Sequence, residues 1–280
     1  MDTYSIIDYV SYSQSPRNKI TLKQNLISFL DQGEKVVYYA DTKTTITNNQ
    51  FAILSSGNCL MTEKLPLNDH YGSTMLFFDN TVLSTFFVKY ASRFEQFPAV
   101  DLALKKPFLV FKKDEFIDGY LASLKLIHTK RFSCEKGFLA LKFEELMLYL
   151  FEMYPTEILS FQTSHKEIDS DIGIRKAVEE NVTNNLRLEE LAFLCNVSVS
   201  TFKRKFIRLY KEAPTQYFLK ERLKRAKALL IQNENPSEVY YKVGYQNHSS
   251  FSQSFKQMYG LSPKDFKLLH MNDSKQLLGD

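Results

Sequence analysis

Ser200, Thr201, Lys203 and Arg204 follow one another closely, and two more cations, Lys205 and Arg208, come directly after them. Arginine and lysine carry donors that match guanine O6 and N7, and hydroxyls can donate to or accept from a base edge. Neighbouring cations suit phosphate oxygens, which fix register and carry no sequence information. Ser200, Thr201, Lys203 and Arg204 are therefore assigned to bases, and Lys205 and Arg208 to the DNA backbone. A second set lies further on: His248, Ser249, Ser252, Gln253 and Lys256. Glutamine can pair bidentately with adenine, and Lys256 can reach guanine or a phosphate. His248 is read as a plain polar contact at a helix start. This is the chemistry of recognising duplex DNA, not of making or breaking bonds. Taken alone, Lys203-Arg204-Lys205 could equally be a solvated face. The surrounding pattern decides.

That pattern is a repeat. Ser198, Phe202, Phe206, Tyr210, Pro214 and Tyr217 recur 49 residues later as Asn247, Phe251, Phe255, Tyr259, Pro263 and Phe266. A spacing of four puts both phenylalanines on one face of a helix. Ser198 and Asn247 are N-cap types. Short apolar segments precede each cap, Leu191–Cys195 and Val239–Val243, with the offset slipping to 48, so the two turns differ by one residue. Gly244 supplies a turn at positive φ. A short helix, a turn and a capped second helix make a helix-turn-helix, here near 187–210 and again near 236–259. Thr215–Ile231, preceded by Pro214 at a first helical position, predicts a helix that holds the two units apart. Its Lys220, Arg222, Lys224, Arg225 and Lys227 are candidate phosphate contacts, with some expected to be ordinary surface charge.

Charge is distributed to match. Ser198–Lys267 holds 14 Lys and Arg against 5 acids, a local excess of nine in a chain of net +4, which leaves the remainder at −5. A basic module beside a mildly acidic one fits nucleic-acid binding at one end. Cys59, Cys134 and Cys195 are far apart, which argues against a disulfide scaffold or a structural zinc site and fits a reducing cytoplasm. The first residues show no secretory pattern, and no apolar run is long enough to span a membrane. The expected location is cytoplasmic, with no membrane partner.

The N-terminal half reads differently. From Lys19 to Phe78, runs such as Val36–Tyr39, Thr44–Thr47, Phe51–Leu54 and Ser73–Phe78 alternate with turn formers at Asp31–Gly33, Asn48-Asn49, Ser55–Asn58 and Asn68-Asp69. This predicts a small antiparallel barrel or sandwich. Helices are expected over Thr81–Phe94, Lys113–His128 and Cys134–Met153, the last with an apolar stripe that could pack on its own barrel or form a dimer seam. Ser160–Ser170 is polar and reads as a linker, and helix one of the next domain starts near Ser170-Asp171.

The stretches from Leu188 to Gln232 and Val239 to Lys267 resemble the AraC/XylS family of bacterial transcription regulators. The match covers Asp171–Leu269: the Leu191-Ala192 start, the Arg222–Leu230 linker, the Val243-Gly244-Tyr245 turn, the Ser250–Lys256 helix and the Tyr259–Pro263 ending stand in order. The resemblance implies a C-terminal domain of seven helices with two helix-turn-helix units, and an N-terminal sensory or dimerisation domain with a cupin-like barrel. Gly57–Glu63 is similar to barrels of members that answer to protein partners. Four positions depart from the family pattern. Lys211 replaces a glycine, so that corner is expected to be shaped differently. Ala213 replaces a Ser or Thr cap, Tyr240 a small residue, and Gln253 an arginine, which weakens readout by the second unit.

The expected fold is thus α+β: a cupin-like β-barrel with C-terminal helices over 1–160, a linker at 161–170, an all-α domain with two helix-turn-helix units over 171–272, and a polar tail at 273–280. The expected function is a sequence-specific regulator, an activator, that binds double-stranded promoter DNA and recruits RNA polymerase. A small-molecule or protein effector would act on the N-terminal domain, and homodimerisation would engage two sites. The alternatives are a cupin-type enzyme and a protein-binding module with a basic appendage. Against an enzyme, His70, His128, His165, His248 and His270 are scattered without an HxH pair, and no phosphate loop or GxSxG elbow occurs. No cofactor or metal is called for. Tyr38, Tyr39, Phe51, Phe77 and Phe78 could line a pocket but are read as core.

Overall fold

β-Branched and aromatic runs punctuated by Gly, Asn and Asp fold into strands throughout the N-terminal half. In the computed structural model the described residues are 4–66, 69–94, 97, 106–130, 132, 134–161 and 171–276. They form two compact units, one β-rich with associated helices and one all-helical from Asp171. Part of the expected turn (Asn68), the Ser170 cap, most of the expected linker (162–170) and the chain end (277–280) lie outside the described residues.

The first unit contains β1 (Tyr4–Ser11), β2 (Ser15–Leu22), β3 (Asn25–Gln32), β4 (Glu34–Tyr39), β5 (Thr42–Thr47), β6 (Gln50–Leu54), β7 (Gly57–Lys64), β8 (Tyr71–Phe78) and β9 (Phe108–Lys112). One sheet has the order β1-β8-β3-β6-β9 and the other β2-β7-β4-β5. β8 pairs antiparallel with β1 and β3, β6 with β3 and β9, and β7 with β2 and β4. Period-two alternation sorts the side chains. Leu26, Leu30, Ala52 and Leu54 of the five-stranded sheet meet Val37, Tyr39, Ile46, Cys59 and Met61 of the other, which fills the cupin-like barrel. Ile27, Phe29, Phe51 and Ile53 face the opposite way, into a core shared with the helices.

Those helices are α1 (Asn80–Lys89), α2 (Ala91–Phe94), α3 (Glu115–Lys130), α4 (Glu135–Met153) and α5 (Pro155–Ser160). Leu139, Phe143, Leu146, Met147 and Leu150 of α4 are buried in the shared core, while Phe138, Leu141 and Met153 are exposed. Phe161, beyond α5, is also buried and bridges to Lys106.

Several expectations require correction. The β region begins at Tyr4, not Lys19, and β1, β2, β3, β7 and β9 were not marked by alternation. β3 is buried on both faces from Asn25 to Leu30, so it carries no period-two signal. Gly57 and Asn58, read as turn residues, open β7. The helix expected over Thr81–Phe94 is interrupted at Tyr90. α12 (Pro263–Gln276) continues into the stretch read as a tail. Tyr39, Phe51 and Phe78 are fully buried core, as read.

The second unit is seven helices among the described residues: α6 (Asp171–Glu180), α7 (Leu188–Leu194), α8 (Val199–Tyr210), α9 (Pro214–Ile231), α10 (Pro236–Lys242), α11 (His248–Tyr259) and α12. α9 lies against α8, α10, α11 and α12. Its Leu223, Ala226 and Leu230 join Val239, Val243, Phe251, Phe255 and Phe266 in one core.

Candidate nucleic-acid interface

α7 begins where the Glu190 carboxylate accepts a hydrogen bond from the Arg187 backbone N–H at 2.6 Å. This contact holds one of the helix's otherwise orphaned donors. After Cys195 the chain turns through Asn196 at φ 54°, and Ser198 caps α8, its Oγ accepting from the Thr201 N–H at 3.2 Å. In the second unit Gly244 at φ 85° occupies the corresponding place, and Asn247 caps α11, its Oδ1 accepting from the Ser250 N–H at 2.8 Å. From left-handed residue to cap, the second turn is one residue longer, which is the origin of the slip from 48 to 49. Tyr240, bulkier than the family pattern, half-buries against the second core and meets His248 edge-on, ring centres 5.8 Å apart.

The sequence repeat is a repeat of packing. Phe202 and Phe206 have ring centres 5.9 Å apart, and Phe251 and Phe255 5.7 Å. Phe206 meets Tyr210 at 4.6 Å and Tyr217 at 5.4 Å, while Phe255 meets Tyr259 at 4.7 Å and Phe266 at 5.4 Å. All four phenylalanines are fully buried. A cation covers each tyrosine: Arg175 lies 5.5 Å from the Tyr210 ring and Lys227 5.4 Å from that of Tyr259. Aromatic contacts of this kind add to the area they bury, and they fix which face of α8 and α11 points away.

That outward face of α8 carries Ser200, Lys203, Arg204 and Ile207, all exposed. Thr201 and Lys205 are half-buried at its margins. Among the described residues, Lys203 and Arg204 make no hydrogen bond or ion pair with the chain, so their donors are available to a ligand. Arg208 is different: its Nη2 donates to both carboxylate oxygens of Asp171, at 2.5 and 2.6 Å. Nothing in the spacing of 171 and 208 announces that pair. On α11, Ser249, Gln253 and Lys256 are exposed on the equivalent face, and Ser252 Oγ lies 3.4 Å from His248 Nδ1 beside them.

Lys211 keeps the geometry of the glycine it replaces: it sits at φ 57°, ψ 20°, and its N–H donates to the Ile207 carbonyl. Gly260 closes α11 in the same way onto Lys256. The corner is therefore not reshaped; the left-handed backbone is retained at a cost of about 1 kcal/mol. Ala213, as expected, offers α9 no side-chain cap.

The α9 cations are mostly engaged within the chain. Arg222 Nε donates to the Val182 carbonyl at 2.7 Å and Nη1 to Asn185 Oδ1 at 3.3 Å, and burial pulls its pKa down. Arg225 donates to the Glu179 carbonyl at 3.1 Å. Lys220 pairs with Glu212, Lys224 with Glu221, and Lys227 covers aromatic rings. These internal partners compete with phosphate for Arg222, Arg225 and Lys227, while Lys220 and Lys224 remain exposed beside their acidic partners. Burial pushes the Cys195 thiol behind α8 up to about 12, as befits a small core residue. Among the described residues no cluster of His, Cys, Asp or Glu could hold a metal ion, and no helix is long and apolar enough to cross a membrane.

Comparison with known proteins agrees with this geometry. The family profile described as the ExsA N-terminal regulatory domain matches residues 25–161, and a helix-turn-helix domain profile matches 191–268. The probable transcriptional regulator LumQ of Photobacterium leiognathi is 32% identical over 91 residues, 32% of this chain and 37% of LumQ. The virulence regulon transcriptional activator VirF of Yersinia enterocolitica is 24% identical over 187 residues, 66% of this chain and 68% of VirF. An apo ToxT structure from Vibrio cholerae covers 95% of this chain and 97% of its own at 15% identity and a TM-score of 0.42. With both profiles in sequence order and the paired helix-turn-helix units built as described, the chain belongs to the AraC/XylS family of transcription regulators.

Proposed function

We propose that this chain binds double-stranded promoter DNA through α8 and α11 and activates transcription. The supporting observation is the matched pair: two capped helices, each held by the same aromatic packing and each turning polar, exposed side chains outward. Between them stands α9, whose 18 residues span about 27 Å. Successive major grooves on one side of a duplex are about 34 Å apart, a separation of the same order. Ser200, Thr201, Lys203 and Arg204 read bases, and Lys205 holds the phosphate backbone. Arg208 joins Lys205 while keeping Asp171 beside it. Ser249, Ser252 and Gln253 read bases in the second groove, with His248 and Lys256 at its edges.

In this reading the DNA-binding domain runs from Asp171 through α12, and a linker at 162–170 joins it to the regulatory domain, which keeps Phe161 in its core. The regulatory domain answers to a small-molecule or protein effector and pairs two chains through the exposed face of α4, where Phe138 and Leu141 lie. The chain acts in the cytoplasm, with RNA polymerase as its partner at the promoter, and by binding rather than catalysis.

The test is selection from a pool of random duplexes by the full-length chain, followed by sequencing. The expected product is a motif of two elements about one helical turn apart, and Arg204→Ala relaxes one base position at a cost of about 1–3 kcal/mol. Binding that enriches no motif and only fades with salt would overturn the proposal, leaving the basic face a general electrostatic surface.

A further inference from the structure

One apolar side chain stands where the packing gives it no task. Ile207 is 50% exposed on α8. The helix is otherwise sharply divided, with Phe202 and Phe206 fully buried on one side and Ser200, Lys203 and Arg204 exposed on the other. At 100° per residue Ile207 falls between Ser200 and Lys203, in the middle of the polar side. The fold does not demand an isoleucine here. The matching position of the second unit, 49 residues on, is Lys256, equally outward and exposed.

Resting on the reading of α8 as a base-reading helix, we propose that Ile207 is a specificity-determining residue that recognises the 5-methyl group of a thymine. An aliphatic side chain in the major groove has one apolar partner among the base edges, and that is the thymine methyl. Ile207 lies one helical turn beyond Arg204, about 4.5 Å along the axis. Base pairs are stacked about 3.4 Å apart. The thymine therefore belongs to a pair one or two steps from the base that Arg204 reads. The second unit, with Lys256 at this place, has no such preference.

The experiment replaces each thymine of the best selected duplex, one at a time, by deoxyuridine, which removes only the methyl group. Affinities of the full-length wild-type chain, Ile207→Ala and Ile207→Val are measured at one salt concentration. The wild-type chain is expected to bind about fourfold more weakly at one substituted position, the effect of withdrawing one buried methyl from contact. Ile207→Ala loses that sensitivity while keeping the rest of the motif, and Ile207→Val retains it. Because Ile207 is half exposed, truncation leaves the fold intact, checked by an unchanged melting curve. The inference is overturned if no position responds to deoxyuridine, or if Ile207→Ala responds as the wild type does. Either result leaves α8 as a reading helix, since Arg204→Ala would still relax its own position. Should the wild-type chain select no duplex at all, the reading of α8 fails and the inference falls with it.

Discussion

Alanine at Gly244 and at Gly260 separates backbone conformation from crowding. Both glycines have left-handed backbones, φ 85° and 79°. Each alanine variant therefore incurs the same conformational cost, roughly 1–2 kcal/mol. Their surroundings differ. A Cβ on Gly260 meets nothing within 4 Å, whereas one on Gly244 would lie 2.5 Å from the Thr183 carbonyl oxygen and 3.1 Å from its carbon. That neighbour is backbone and cannot rotate aside. Overpacking of this kind costs about 1–3 kcal/mol. Gly260→Ala should then lose about 1–2 kcal/mol and Gly244→Ala about 2–5 kcal/mol. Lys211→Gly, at the position equivalent to Gly260, should gain about 0.5–1 kcal/mol once the unfolded freedom of glycine is set against the relieved strain. Urea unfolding of the full-length chain gives the totals, and hydrogen exchange of α10 and α11 amides assigns the loss to the second unit. Equal losses at Gly244 and Gly260 would refute the argument, because the approach to Thr183 would then impose nothing.

Other outcomes follow from particular contacts. Ser198→Ala and Asn247→Ala each remove a helix cap and should cost about 1 kcal/mol; the double variant should show their sum within about 0.5 kcal/mol, as the caps share no partner. Arg222→Met should destabilise by about 1.5–3 kcal/mol through its two lost bonds, without altering the salt dependence of DNA binding. Lys256→Ala should do the reverse, leaving stability unchanged and lowering the salt slope by about one. Lys35, buried in the barrel with Nζ donating to Ser28 Oγ at 3.0 Å, has its pKa pulled down from 10.5 to about 8, chiefly by burial. The unfolded chain then holds the proton more tightly, so this group destabilises the fold below about pH 8, and stability returns as pH rises towards 10.5. Lys35→Met should be more stable than wild type at pH 7, by up to about 3 kcal/mol. That gap, read from unfolding midpoints, should narrow above pH 8 and close only beyond about pH 10.5; a gap that ignores pH rules out the charge as its cause.

Both helix-turn-helix units were legible because their information is local. Caps, aromatics four apart and a closing proline all lie within about twenty residues, and a second copy confirms the spacing. The outward placement of Lys203, Arg204 and Gln253 follows from the wheel once Phe202 and Phe251 are put inside. What the sequence did not disclose depends on partners far along the chain. β3 looks featureless because β8 and β6 flank it and both its faces are covered. Arg208 reads as a free cation until Asp171 is brought beside it. Arg222 and Arg225 read as phosphate ligands, yet their partners are carbonyls of a segment some forty residues earlier. Lys211 misled in another way, since a missing glycine suggests a changed corner, while an αL penalty of about 1 kcal/mol is small enough for the surrounding fold to impose.

α9 belongs to both repeats at once. Tyr217 packs on Phe206 of the first, and Leu223, Ala226 and Leu230 complete the core of the second. The halves look like interchangeable cassettes in sequence but cannot be inherited or engineered as such. Ending the chain after Ile231 would lay bare the apolar side of the very helix that shores up α8, so losing one half weakens the other. Changes of operator preference must therefore come from replacing outward residues in place, and exchange of a whole half should yield aggregation rather than a hybrid reader.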